Sequence, residues 1–234
     1  MKLLDKKENK IVFETDIDIS LANAIRRSVS EIPILAMDEV DIYKNDSALY
    51  DEILAHRIGL IPLKNQKLKE GKSVQFKLKV KGDKEGSIIL SSELGKDVVF
   101  PDMPIVLLND GQELELVARA TQGIGKEHAK YTPGLVFYKQ MPRITISAEG
   151  EKHKELAELY PDVFEFNGKL KVKNLWDSNL DAKDIKNFKG IEIKLTDNLV
   201  FVIESWGQIN KEEIFIESCK ALKTNLDSLS KALK

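Results

Sequence analysis

A helix with clear start and stop signals is encoded by the stretch Asp51-Glu-Ile-Leu-Ala-His-Arg-Ile-Gly-Leu-Ile-Pro-Leu63. Asp51 and Glu52 favour the positively polarised beginning of a helix. Gly59 suits the end of that helix, and the proline three residues later prevents its continuation. The sequence therefore predicts a helix over about residues 47–59.

Arg57 has an unusual position on this helix. It shares one helical face with three apolar residues, Leu49, Ile53 and Leu60. A guanidinium drawn into a core or an interface needs a carboxylate or carbonyl partner, so Arg57 predicts a specific ion pair, within the chain or with another subunit. The alternative is an arginine that reaches water along its aliphatic stem. Three of the five arginines lie within residues 26–57, which marks this region as a candidate binding surface.

The elements on either side alternate between helix and strand. Strands are predicted upstream at residues 10–15 and 34–43, and Ser20 can cap a helix that extends to about residue 31. The apolar face of that helix comprises Leu21, Ala24, Ile25, Val29 and Ile32. Downstream, strict alternation predicts a half-buried strand at residues 74–80 and a return strand at 87–91, within a loop-rich β region.

A polar appendage precedes the last elements of the chain. Residues 149–188 are rich in Lys, Asp and Asn, with a short helix near their start and a weak hairpin near residues 164–172. Alternation then returns over residues 191–203, where Asp197 and Asn198 interrupt it. This pattern predicts a second hairpin, with its turn at these two residues.

The terminal helix carries the clearest periodicity. Asn210 is placed to cap it, Glu213 stands as in a capping box, and Ile209 and Ile214 are spaced for a hydrophobic staple. A heptad seam follows at steps of four and three: Phe215, Cys219, Leu222, Leu226, Leu229 and Leu233. The seam predicts either a docking face for another polypeptide or an amphipathic helix on its own core. Docking is favoured, because the apolar pattern continues to the penultimate residue.

The composition argues against several classes of protein. The 36 basic and 38 acidic residues give a net charge of −2, without the basic excess of a nucleic-acid-binding surface. The single cysteine, Cys219, excludes an internal disulfide and a metal site made of cysteines alone. The amino terminus lacks an apolar signal region, and no apolar run approaches the ~20 residues that span a bilayer. We therefore expect a cytoplasmic protein without membrane contact.

No catalytic constellation stands out. Gly123-Ile-Gly-Lys126 superficially resembles a phosphate-binding loop, but Ala120 and Glu127 occupy positions where the full motif has Gly and Ser or Thr. The histidines lack the spacing of metal ligands: His56, His128 and His153. No clustered Asp-x-Asp array suggests a magnesium site.

Four stretches, in one order and spread over nearly the whole chain, carry a family resemblance. They are Leu21-Ala-Asn-Ala-Ile-Arg-Arg-Ser28 with residues 32–36; residues 45–47 with 51–63; Gly123-Ile-Gly-Lys-Glu-His-Ala-Lys-Tyr131 with Pro133; and Phe201-Val-Ile-Glu-Ser-Trp-Gly207 with Glu212-Glu-Ile-Phe215. Together they resemble the D-subunit family of archaeal DNA-directed RNA polymerase. Relatives of that family are the third-largest eukaryotic polymerase II subunit, its counterpart in polymerases I and III, and the amino-terminal domain of the bacterial alpha subunit.

The resemblance implies an α+β fold with a split RNA-polymerase-alpha-type dimerisation domain, residues 1–46 plus 189–234. A β-rich insert domain would occupy residues 47–148. Residues 149–188 would form a small appendage at the position of the family's ferredoxin-like subdomain. The implied function is a non-catalytic assembly subunit of DNA-directed RNA polymerase, a nucleotidyltransferase complex.

The resemblance also implies partners and interface residues. The chain would heterodimerise with subunit L, bind subunits N and P and the large catalytic subunits, and meet DNA only through the complex. Three groups of residues are the expected subunit interfaces: Asn23, Arg26 and Arg27; Asp51, Glu52, His56 and Arg57; and the terminal seam of Phe215, Cys219, Leu222, Leu226, Leu229 and Leu233.

Two departures from the family concern metals. Many members carry a cysteine cluster for iron–sulfur binding in the appendage, and the polymerase II relative carries zinc in the insert domain. Residues 149–188 and 81–86 contain no cysteine, so neither an iron–sulfur cluster nor zinc is expected. Two alternatives to the polymerase function are an independent homodimeric binding module and an enzyme that uses residues 123–126 on a phosphorylated substrate.

Overall fold

A computed structural model describes residues 1–69, 71–176, 178 and 180–233. The helices are α1 (Ile19–Ser28), α2 (Asp51–Gly59), α3 (Lys154–Leu159) and α4 (Lys211–Ala232). The strands are β1 (Lys2–Lys6), β2 (Lys10–Thr15), β3 (Ile34–Asn45), β4 (Val74–Lys81), β5 (Ser87–Leu90), β6 (Pro104–Leu108), β7 (Glu113–Gly123), β8 (Gly134–Ile146), β9 (Phe164–Phe166), β10 (Leu170–Val172) and β11 (Ile191–Ser205). Helices and sheets do not alternate as βαβ units, and the predicted α+β class is confirmed.

One compact unit comprises Met1–Lys6, Val12–Ile19 and Phe137–Val202. It holds most of the residues of a sheet with the strand order β1-β2-β11-β8. Within that sheet the ring of Phe13 stacks on the ring of Phe201, with centroids 5.5 Å apart. Burial of these rings and of the neighbouring valines removes apolar surface from water, which is the main force that holds such a sheet together.

A separate apolar cluster lies in the same unit, around α3 and the antiparallel pair β9 and β10. Its buried members are Leu156, Val163, Phe164, Leu170, Leu175 and Ile185. The predicted short helix and hairpin of the appendage are therefore confirmed, and the segment has a hydrophobic core of its own.

The other compact unit comprises Lys7–Ile11, Ser20–Val136 and Ile203–Lys234. Its antiparallel sheet has the order β3-β7-β4, and β5 pairs with β6 in a second, two-stranded sheet. Helix α2 packs against β3 and β6. The predicted alternation in β4 is confirmed, because Phe76 and Leu78 are buried whereas Lys77 and Lys79 are exposed.

The outer face of the three-stranded sheet is covered by ion pairs between strands. Lys79 Nζ lies 2.7 Å from Glu115 Oε2, and Arg119 contacts Glu39 at 2.9 Å and Asp41 at 3.0 Å. Such exposed pairs each contribute little to stability. They keep this face hydrophilic, as expected of an antiparallel sheet with one face on the core and one in water.

The predicted hairpin at residues 191–203 is wrong, because β11 is one continuous strand from Ile191 to Ser205. Asp197 and Asn198 lie inside it, without the positive φ angles of a tight turn. Asn198 Nδ2 instead donates a 2.7 Å hydrogen bond to Glu14 Oε1 on β2. A local turn pattern cannot predict a hydrogen bond to a residue so distant in sequence.

Helix α2 starts later than predicted and buries a different face. Residues 45–50 form a turn in which Asn45 Oδ1 accepts hydrogen bonds from Ser47, so the helix begins at Asp51 rather than near Ser47. The buried residues are Leu54 and Ile58. The predicted stripe of Leu49, Ile53, Arg57 and Leu60 is half-buried or exposed. Since α2 carries apolar residues on two adjacent faces, periodicity alone could not tell which face the sheet would cover.

Smaller differences affect α1 and α4. In α1 the structure buries Ala22 and Ile25, whereas Leu21 is exposed. Asn210 precedes α4 in an extended conformation, as predicted for a cap, but its side chain makes no capping hydrogen bond. The predicted capping box is therefore not formed.

The two compact units divide the chain at other positions than the three predicted domains. The compact units are defined by packing alone, whereas the predicted dimerisation, insert and appendage domains are defined by function as well. That assignment stays a prediction.

Candidate functional site

The terminal heptad seam is half packed and half exposed. At its start, Phe215, Cys219 and Leu222 are partly buried, and the adjoining Ile214 and Ser218 are fully buried within the same compact unit. Towards its end the exposed fractions are 57% for Leu226, 56% for Leu229 and 79% for Leu233. Helix α4 thus uses its first three turns to hold itself in place. The leucines of its last turns lie in solvent.

Cys219 lies where the packed part of the seam ends. Burial raises the pKa of its thiol, so the thiol stays protonated at neutral pH. A protonated thiol is a poor nucleophile and a poor metal ligand. The predicted role of Cys219 as a small apolar side chain in the seam agrees with this environment.

The middle of α4 is fixed to the short turn Val29–Glu31 that follows α1. Asn225 Nδ2 donates a hydrogen bond to the carboxylate of Glu31, which also pairs with the ammonium group of Lys126. The hydrogen bond from Lys126 is the main cause that lowers the pKa of Glu31 below its ordinary value. A carboxylate that stays ionised therefore anchors the helix just before its exposed leucines.

The polar face of α1 holds a preformed pair. Arg26 donates from Nε and Nη2 to Asn23 Oδ1, at 3.1 and 2.9 Å. This contact fixes the orientation of the Arg26 guanidinium and leaves its other N–H groups for a further acceptor. Arg27 is exposed on the next position of the helix. Of the three predicted interface residues on α1, two are thus held in place by each other.

The predicted residues on α2 are mainly at the surface. Asp51 Oδ1 accepts a 2.7 Å hydrogen bond from Asn45 Nδ2, which ties the start of the helix to the preceding turn. Glu52 and His56 are exposed. Arg57 Nη2 donates to the backbone carbonyl of Pro104 at 2.6 Å. This partner of Arg57 is a carbonyl rather than a carboxylate, and an ion pair with another subunit stays a prediction.

The structure brings two of the three predicted groups near each other. The turn after α1 contacts α4, so the arginines of α1 and the terminal seam belong to one region of their compact unit. Helix α2 packs instead on β3 and β6. The charged residues of α2 therefore lie on a different part of the surface from the arginines of α1 and the terminal seam.

Sequence reasoning missed an apolar surface on the two-stranded sheet. Ile88 and Leu107 are cross-strand neighbours, and both are largely exposed. The doublet Ile88-Ile89 was a usable signal, because successive strand residues point to opposite faces and only one face of a sheet edge can be buried against its own core.

The loop at residues 123–126 is used for structure. Lys126 pairs with Glu31, and the backbone N–H of Ile124 donates to Glu127 Oε2 at 3.3 Å. The Glu127 carboxylate thus accepts a backbone N–H of the kind that a phosphate-binding loop would donate to its ligand. Among the described residues, no group of three or more His, Cys, Asp or Glu side chains is placed to hold a metal ion.

None of the helices in the described residues is both long and apolar enough to span a membrane.

Similarity to known proteins covers almost the whole chain. Residues 17–136 match the family described as the RNA polymerase Rpb3/RpoA insert domain. The chain is 34% identical to DNA-directed RNA polymerase subunit Rpo3 of Pyrococcus horikoshii, over 97% of this chain and 95% of the relative. It is 32% identical to subunit Rpo3 of Methanocaldococcus jannaschii, over 98% and 95%.

A eukaryotic relative extends the comparison. The chain is 30% identical to subunit rpac1 of RNA polymerases I and III of Dictyostelium discoideum, over 98% of this chain and 82% of the relative. These relatives are all named as subunits of DNA-directed RNA polymerases. The chain belongs to the Rpb3/RpoA family of DNA-directed RNA polymerase subunits.

Proposed function

We propose that the chain is the non-catalytic assembly subunit of its polymerase and forms a heterodimer with subunit L. One observation carries the proposal: Leu226, Leu229 and Leu233 continue a heptad seam into solvent. A helix with such a seam gains stability when a second helix covers it. The proposal also rests on the resemblance of the chain to the archaeal D-subunit family.

The energetic scale supports a stable contact. Covering a leucine side chain contributes about 1.5–3 kcal/mol, so the three exposed leucines together offer several kcal/mol. An obligate subunit interface usually buries roughly 2,000 Å² or more of mainly apolar surface. Leu21 on α1 and Ile216 on α4 are also exposed and could add to that area.

The other expected partners are assigned to the polar surfaces. We assign subunits N and P and the large catalytic subunits to the α1 face with Arg26 and Arg27 and to the charged residues of α2. Arginine forks suit such contacts, because one guanidinium can bind a carboxylate through two parallel hydrogen bonds. DNA would be reached only through the complex, and the site of action would be the cytoplasm.

We further propose that the subunit functions without a metal ion or an iron–sulfur cluster. Residues 149–188 do not fit a cluster, because they have no cysteine ligand and their interior is filled by apolar side chains such as Leu156 and Phe164. Packing supplies what the cluster would otherwise contribute to folding.

A homodimer is the second candidate, since the same exposed leucines could pair with those of another copy. The deciding experiment measures mass by light scattering for the tagged chain alone and after co-expression with subunit L. We expect a 1:1 complex with L, and aggregation or poor solubility without it. A well-folded, monodisperse chain with no affinity for L would contradict the proposal, and a stable dimer that ignores L would favour the second candidate.

A further inference from the structure

A surface groove of about 400 Å³ lies between α2 and the two-stranded sheet of β5 and β6. Its walls are mainly apolar and comprise Ala48, Leu49, Ile88, Pro104, Val106 and Leu107. The groove belongs to one compact unit, and its described lining includes no residue of α4. It is therefore a different surface from the terminal seam.

The outer wall of the groove carries two large apolar side chains that are exposed to solvent. Ile88 and Leu107 face each other across β5 and β6, with 62% and 55% of their surfaces exposed. The next residues along these strands, Ile89 and Leu108, are buried in the core. Contiguous exposed apolar side chains at a concave surface are typical of a binding site.

Arg57 supplies the only charge among the described residues that line the groove. One of its five N–H groups donates to the Pro104 carbonyl, which holds the guanidinium at the groove margin. The remaining N–H groups can donate to an acceptor that enters the groove. An acidic side chain is the best match, because it would form charge-assisted hydrogen bonds with a fork that is already oriented.

The same features argue against a second copy of this chain as the occupant. A symmetric contact would place the groove against itself and bring Arg57 close to its own counterpart. Two guanidinium groups in a partly desolvated contact repel each other, and the described lining of the groove offers no carboxylate to offset the repulsion.

We propose that this groove docks a segment of another polymerase subunit that carries apolar side chains and one acidic residue. The apolar side chains cover Ile88 and Leu107, and the carboxylate binds Arg57. The inference depends on the chain working within an assembly, but it does not depend on the contact with subunit L.

The test uses the assembled polymerase, prepared from co-expressed subunits with a photo-crosslinking benzoylphenylalanine in place of Leu107. A control preparation carries the same group in place of Lys77, which is exposed on the outer face of the three-stranded sheet. We expect the Leu107 position to crosslink strongly, and the control position only weakly, to a segment of another subunit that contains an Asp or Glu, because the photo-reactive group captures only what lies against it. Recovery of subunit L is measured in the same preparations.

Two variants then test the chemistry of the contact. Arg57→Glu should lower the crosslink by about tenfold or more, and exchange of the partner's acidic residue for Lys should restore it. Because Ile88 is largely exposed, Ile88→Ser should weaken the crosslink without changing the thermal unfolding of the chain co-expressed with subunit L.

Three results would overturn the inference: no crosslink above the control in a polymerase that contains L, a crosslink to a second copy of this chain, or a crosslink to nucleic acid. If L is absent but the Leu107 crosslink to an acidic segment is present, the groove assignment stands and the L heterodimer is wrong.

Discussion

Asn225 in the terminal helix donates a hydrogen bond to the carboxylate of Glu31, which lies 194 positions earlier in the chain. Lys126 pairs with the same carboxylate. Three distant segments therefore meet at one ionised group, immediately before the exposed leucines of α4.

The first prediction concerns the pH dependence of this anchor. The folded pKa of Glu31 is lowered from an ordinary value of 4.5, chiefly by the hydrogen bond from Lys126. Its stabilising contribution should therefore be complete above pH 4.5 and be lost as the pH falls through the lowered folded pKa. Glu31→Gln should reduce the free energy of unfolding at about pH 7, and the difference from the unchanged protein should be smaller at a pH below 4.5.

Urea titrations at both pH values measure this difference. Glu127→Gln is a suitable control, since that exposed carboxylate lies next to Lys126 but accepts the backbone N–H of Ile124. An effect of Glu31→Gln that is equally large at low pH would show that ionisation of Glu31 does not matter.

The second prediction concerns the seam. Leu226→Asp should weaken binding to subunit L by at least about tenfold, because the lost apolar burial costs roughly 1.5–3 kcal/mol and a carboxylate would be desolvated. The fold of the chain itself should hardly change, since Leu226 already lies in solvent.

Ser228→Asp gives the matched control for the seam. It adds the same charge to the same helix, but two residues further along and about 200° around its axis. Binding measured by titration calorimetry should distinguish the two variants. Equal losses in both would mean that charge on α4, rather than the leucine seam, controls the contact.

A third prediction tests the core of the appendage. Phe164→Ala should destabilise the compact unit that contains it by about 3–5 kcal/mol, because the side chain is almost fully buried in a small apolar cluster. Val172→Ala on the same hairpin should cost far less, since Val172 is exposed. Denaturant unfolding followed by tryptophan fluorescence, with Trp176 as a nearby reporter, gives the comparison.

The fourth prediction concerns metal removal. Prolonged treatment of the purified polymerase with EDTA should leave the proteolysis pattern of residues 149–188 unchanged if, as we propose, the apolar cluster of this segment holds it without a metal. The readout is confined to peptides of this chain. A new cleavage within these residues after chelation would show that a metal had stabilised them.

Much of the fold was predictable from local patterns. Strand β2 was predicted at residues 10–15 and has these bounds, and the alternation in β4 correctly indicated its buried face. The prediction for β4 succeeded because that segment has one apolar and one polar face, whereas β2 was recognised from its consecutive apolar residues Ile11, Val12 and Phe13.

The failures have a common physical cause. Asp197 and Asn198 look like a turn, but a bond from Asn198 to Glu14 lets them continue β11. Periodicity marked the stripe with Ile53 and Arg57 as the apolar face of α2, for a core or an interface, but the adjacent face with Leu54 meets the sheet. In both places a contact with a residue far away in sequence decides between two locally acceptable conformations.

The candidate site, like the fold, was predicted only in part. The heptad spacing identified Leu226, Leu229 and Leu233 as unusual, and the structure places them in solvent. The groove beside Arg57 was not predicted, since it is formed by elements that only the folded chain brings together. Its residues are far apart in sequence, and no local pattern shows that they converge.

The cluster of leucine, valine and phenylalanine inside residues 149–188 has a consequence for the cell. If, as we propose, no cluster is bound here, this lobe has no sulfide to lose and no oxidation state to maintain. We then expect the folding of this subunit to be insensitive to iron starvation and to oxygen, conditions that would impair a subunit whose folding depended on a cluster.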